Sequence, residues 1–106
     1  MSMSAMQHMV LIKFLHALSD EETAWIDQRL SQWPQNIPGI VWMRWGVDVS
    51  GRSRGYQWGL VIEFSSEEAE SQYHPHPLHQ EFAQWVAGKG AEVLAFDFPI
   101  APGNDP

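Results

Sequence analysis

Short apolar runs alternate with amphipathic stretches along this chain. Residues 8–14, His-Met-Val-Leu-Ile-Lys-Phe, are apolar and β-branched, and they predict a strand. Ser19 and Glu22 then stand at capping-box spacing, with acidic residues in a first turn that suits the helix dipole. Ile26, Leu30, Trp33 and Ile37 recur at helical spacing as one apolar stripe. Pro34, inside that stripe, is expected to end or kink the helix near Trp33. Pro38-Gly39 marks a turn. Residues 40–49 and 56–64 predict a second and a third strand, joined as a hairpin through the polar loop 50–55. Ser65 and Glu68 repeat the capping-box spacing and open another helix, which Pro75 should break. Pro77 suits the first turn of a further helical piece whose stripe is Leu78, Phe82, Trp85 and Val86, and Gly88 and Gly90 stop it. Residues 92–98 predict the last strand.

The order β-α-β-β-α-β is the split arrangement of ferredoxin-like α+β folds, a four-stranded antiparallel sheet with the helices on one face. The other face of such a sheet, if wet, would give clean apolar–polar alternation. These strands do not alternate cleanly. His8, Val10, Ile12 and Phe14 oppose Met9 and Leu11; Ile40 and Trp42 oppose Val41, Met43, Trp45, Val47 and Val49; Val93 and Ala95 oppose Leu94, Phe96 and Phe98. Both faces are apolar, and a second copy packed sheet to sheet, as a dimeric α+β barrel, is the simplest cover. The expected organisation is a flexible N-terminus at 1–7, one domain at 8–98 and a tail at 99–106 with three of the chain's prolines.

Composition narrows the partners. With 106 residues the chain holds one domain and one modest core. Six basic residues against 13 acidic ones, a formal charge of −7, leave no basic patch for nucleic acid or for an anionic membrane surface. No cysteine is present, and no window approaches the roughly 18 apolar residues of a membrane span. With no basic-then-apolar leader at the start, a cytoplasmic location is the expectation. No cofactor-binding fingerprint occurs; Gly51 and Gly55 match none.

Candidate chemistry concentrates at residues 73–79, Tyr-His-Pro-His-Pro-Leu-His, which hold three of the five histidines. The Pro75–Pro77 break folds one helical piece back on the next, which can bring Tyr73 and His79 together. His titrates near neutral pH and can take a proton, while Tyr can donate to a developing oxyanion. On the residues alone the plainer reading weighs more: His and Tyr at such a corner satisfy backbone groups that the prolines orphan. A metal held by His74, His76 and His79 with Glu81 matches no standard zinc spacing. His8 is a core histidine or a pocket residue. Arg44, in an apolar strand, calls for a carboxylate such as Asp48, Glu63 or one from a partner chain. The six tryptophans serve core, dimer contact or an aromatic pocket floor.

The opening strand at 8–14, the Gly46-x-Asp48-x-Ser50 stretch and Tyr73-x-x-His76-Pro77-x-His79 together resemble the stress-responsive A/B barrel (Dabb) family, over about residues 8–98. That resemblance implies a homodimeric α+β barrel. Its members include a heat-stable, stress-induced protein and a polyketide cyclase, in which a Tyr and a His of the matching motif serve an intramolecular aldol condensation. By motif position those roles fall on Tyr73 and His79, while His8 and His76 match further polar pocket positions. The resulting expectation is a pocket lined by Val10, Ile12, Trp42 and Phe82, with the polar cluster at one end. A small aromatic or polyketide-like ligand would fill it, and aldol-type cyclisation or a related enolate step would be its chemistry. The alternatives are a non-catalytic stable dimer of the stress-induced kind and, with less support, a monooxygenase-like barrel.

Overall fold

The computed structural model describes residues 4–101. Parts of the expected N-terminal and C-terminal segments, residues 1–3 and 102–106, lie outside the described residues. The elements run β1 (Met6–Lys13), α1 (Asp20–Leu30), α2 (Trp33–Asn36), β2 (Ile40–Val47), β3 (Trp58–Phe64), α3 (Glu67–Tyr73), α4 (Pro77–Gly88) and β4 (Glu92–Pro99). The four strands form one antiparallel sheet in the order β2-β3-β1-β4, the ferredoxin-like topology that the element order predicts.

Local chemistry explains the boundaries. Ser19 and Glu22 make the reciprocal capping box at the start of α1, at 3.1 Å and 2.8 Å. Pro34 does not end a helix but sits in the first turn of one: α1 stops at Leu30, and α2 begins afresh at Trp33, where the missing proline N–H costs nothing. The stripe survives this break, because Ile26, Leu30, Trp33 and Ile37 are all buried. The N-cap of α3 is Ser66, whose hydroxyl accepts from the Ala69 amide at 3.0 Å, and not Ser65. The Ser65 amide instead donates to the Gly39 carbonyl at 2.8 Å, which ties the end of β3 to the turn before β2. Gly39 has φ +91°, and a Cβ there would run into the Ala69 side chain. Gly39→Ala therefore combines a left-handed backbone with a clash, and should lower unfolding stability by about 2 kcal/mol or more in a denaturant titration.

The core lies between the sheet and the helices. Trp58, Leu60, Ile62 and Phe64 alternate from β3, and Ile12 and Phe14 join them from β1 and the residue after it. From the helices, Trp33, Tyr73 and Phe82 meet edge to face. Strand β2 departs from the expected alternation. A bulge between Ile40 and Trp42 slips its register by one residue. Ile40, Met43 and Trp45 consequently pair opposite Phe64, Ile62 and Leu60 on the helix side, and Trp42 and Arg44 turn to the other face.

That other face is uncovered in the single chain. Leu11, Leu94 and Phe96 are exposed on it, Phe96 by 65%. Met9 and Val61 sit between them in register, and Phe98 packs its ring 6.0 Å from that of Phe96. No helix of the described residues is long and apolar enough to cross a membrane.

Candidate functional site

A cavity of about 280 Å³ opens between β1, β4 and the corner where α3 turns into α4. Apolar groups such as Val10, Phe82 and Ala95 make its body, and His8, Tyr73 and His79 give it polar character.

The two prolines at 75 and 77 build that corner. They break the helix between His74 and Pro77, so the Leu78 amide that would reach the His74 carbonyl in a continuous helix donates instead to His76 Nδ1 at 3.1 Å. Two side chains from α4 replace it: His79 Nδ1 lies 2.8 Å from the His74 oxygen, and Gln80 Nε2 donates to it at 2.7 Å. Since a carbonyl only accepts, this contact requires a proton on His79 Nδ1. The neutral ring therefore keeps Nε2 unprotonated, as a base. Burial, more than any neighbour, lowers the His79 pKa from the ordinary histidine value and keeps the ring neutral.

Tyr73 closes α3 beside it. Its ring centroid is 4.3 Å from that of His79, and it is buried against Trp33, Phe64 and His8. Among the described residues its hydroxyl has no hydrogen-bond partner. Burial pushes the phenol pKa up, with Glu70 and Asp97 adding to the effect, so the group remains an O–H donor.

His8 enters from β1, directly opposite Asp97 of β4. Its Nδ1 meets Asp97 Oδ1 at 2.6 Å and lies 3.3 Å from Glu70 Oε2. A neutral imidazole has a single proton on Nδ1, and the shorter contact takes it, so Glu70 Oε2 is left buried without a hydrogen bond. Glu70 is pushed up to about 7, first by burial and then by the adjacent Asp97 carboxylate. His8 is lowered, with burial outweighing the opposing pull of Asp97.

Of the residues that the sequence singles out, His8, Tyr73, His79 and Phe82 share the cavity wall. Trp42 does not: the β2 bulge carries it to the opposite face, where its Nε1 donates to Glu63 at 2.9 Å. His76 is the N-cap of α4, its Nδ1 accepting from the Leu78 amide at 3.1 Å, and it is not among the lining residues. The alternative metal set is also dispersed, since Glu81 faces Arg29 at 3.7 Å. Arg44 lies over the Trp42 ring, 6.0 Å from its centroid, and makes no ion pair among the described residues.

Glu70 and Asp97 are the site residues that sequence reasoning missed. Glu70 sits among the acidic residues of a helix start, where a carboxylate is ordinary. Asp97 did carry a signal, as the one charge on the same face as Val93 and Ala95 in an otherwise apolar strand.

The fold and cavity together define a ferredoxin-like α+β domain with a histidine–tyrosine site in an open pocket. Residues 6–100 match the Stress responsive A/B Barrel Domain (Dabb), and the chain belongs to that family. It is 30% identical over 94 residues to the stress-response A/B barrel domain-containing protein HS1 of Arabidopsis thaliana, covering 87% of this chain and 86% of that protein. It is 24% identical over 96 residues to olivetolic acid cyclase of Cannabis sativa, covering 89% and 95% respectively. A dimeric ferredoxin-like protein from Thermobifida fusca superposes with a TM-score of 0.79 at 21% identity, covering 92% of each chain.

Proposed function

We propose that this protein is a homodimeric barrel that binds a small aromatic or polyketide-like carbonyl compound in the cavity and promotes an enolate step on it. The observation that carries this reading is the pairing of an unpartnered Tyr73 phenol with a His79 ring whose Nδ1 is committed to a carbonyl. A ligand in the cavity that both line meets one free donor and one free base.

In the proposed step His79 Nε2 takes a proton from the carbon next to a ligand carbonyl. The C–H pair becomes the C=C of the enolate, and the Tyr73 O–H hydrogen-bonds the oxygen that gains charge. In an aldol cyclisation the enolate carbon then adds to a second carbonyl of the same molecule, whose oxygen takes the proton back. The relative named as a cyclase is in keeping with this chemistry. The dimeric Thermobifida fusca protein is in keeping with pairing through the bare sheet face.

Deuterium exchange tests the step without knowledge of the natural substrate. The protein should accelerate loss of the methyl protons of an aryl methyl ketone such as acetophenone in D2O, followed by proton NMR. Ala95→Trp, which places an indole where the cavity now is, should return the rate to that of buffer. Exchange no faster than buffer with the unaltered protein would leave the non-catalytic stable dimer as the better reading.

A further inference from the structure

On the far side of the His8 ring from the proposed chemistry lies a cluster with a different competence. His8 Nδ1, a Glu70 carboxylate oxygen and an Asp97 carboxylate oxygen all lie within 4.8 Å of one another. They come from three elements, β1, α3 and β4, so the backbone fixes their relative positions. We propose that His8, Glu70 and Asp97 form a binding site for one divalent transition-metal ion of the zinc class.

Three observations point the same way. First, the donor set of one imidazole and two carboxylates suits zinc or cobalt, whereas calcium and magnesium sites are built from oxygen donors and have no use for the imidazole. Bonds of about 2.0–2.2 Å place ligand atoms roughly 3–3.5 Å apart, which the 3.3 Å separation of His8 Nδ1 from Glu70 Oε2 already meets. The 2.6 Å contact to Asp97 has to open, and the two carboxylate oxygens, within 4.8 Å of each other, have to settle at the same spacing. Second, Glu70 is 6% exposed and its Oε2 has no hydrogen bond. A buried carboxylate oxygen in that state is costly, and a cation between it and Asp97 removes both the orphaned lone pairs and the like-charge repulsion. Third, the ion has a way in: a second opening, of about 340 Å³, is bordered by Glu70, Asp97 and His74.

The site also reaches the cavity through His8. Metal on Nδ1 forces the ring proton to Nε2, turning His8 from an acceptor into a donor. This proposal does not depend on the enolate reading, and its test uses no turnover.

The test is titration of metal-free protein with Zn2+ alone by calorimetry, and with Co2+ by visible absorption. The unaltered protein should bind one ion per chain and show the ligand-field bands of a nitrogen- and oxygen-bound Co2+. Glu70→Gln and Asp97→Asn should each weaken binding by about 100-fold or more. Zn2+ should raise the thermal midpoint of the unaltered protein and not that of Glu70→Gln. Glu70→Gln keeps the side-chain shape and removes a buried charge, so a folded variant is expected and circular dichroism verifies it. Absence of stoichiometric binding to the unaltered protein would overturn the proposal in favour of a proton shared by the two carboxylates. Undiminished binding in both variants would overturn it in favour of surface histidines.

Discussion

Phe96→Asp should convert the protein from a dimer to a monomer. Phe96 is 65% exposed on β4, in an apolar face that also carries Leu11, Leu94 and Phe98. Because a two-fold pairing brings the same patch from each copy together, one substitution puts two carboxylates into the same dry contact. Neither would find a free partner there: Arg44 lies at the β2 end of the sheet, three strands from β4, and Lys13, at the far end of β1, already faces Glu92 at 3.8 Å. In sedimentation equilibrium the unaltered protein should run at about twice the 12.1 kDa chain mass and the variant at the chain mass. The sheet itself should persist, since Phe96 contributes nothing to the core on the helix side. Circular dichroism should therefore show native strand and helix content in the variant, with a lower thermal midpoint. An unaltered protein that is monomeric at micromolar concentration would remove the dimer from the account.

Tyr73→Phe and His79→Ala should each reduce proton exchange on the ketone by about 10²–10⁴-fold, the usual range for losing one acid–base group. Their effects on stability should be small, which separates chemistry from structure. The Tyr73 hydroxyl has no partner among the described residues, so its removal orphans nothing. His79→Ala removes a bond to the His74 carbonyl that Gln80 also makes, at a cost of about 1 kcal/mol. The pH profile should carry the His79 signature. Neutral His79 is the working form, and burial keeps it neutral below the ordinary histidine value, with the nearby His74, His8 and His76 opposing its protonation. Activity should thus hold as pH falls through the ordinary histidine range and be lost only below it. Tyr73, raised by burial, sets no limit on the alkaline side below the ordinary tyrosine value.

The fold was legible because local and global signals agree. The Ser19 box and the Pro75–Pro77 corner state the same boundaries that the packing imposes, and the Ile26–Ile37 stripe names the buried face across the α1–α2 break. The doubly apolar strands β1 and β4 likewise announced a face that one chain leaves bare. Two things escaped. The bulge at Ile40–Trp42 leaves no mark in the composition of β2, where Val, Trp and Met are welcome on either face, so Trp42 was placed on the wrong one. The Glu70–Asp97 pair joins a helix start to a strand 27 positions later, and only β1 between them makes the contact. Tyr73 and His79, six positions apart around a proline corner, were within reach of local reasoning in a way that Asp97 and His8, 89 positions apart, were not.

The most direct test of the central claim is nitrogen-15 NMR of the histidine side chains during titration with the aryl ketone. His79 should be neutral with its proton on Nδ1, bonded to the His74 carbonyl, and its bare Nε2 should shift in resonance as the ketone fills the cavity. A His79 protonated on Nε2, or a ring whose signals do not respond to saturating ketone, would contradict that claim.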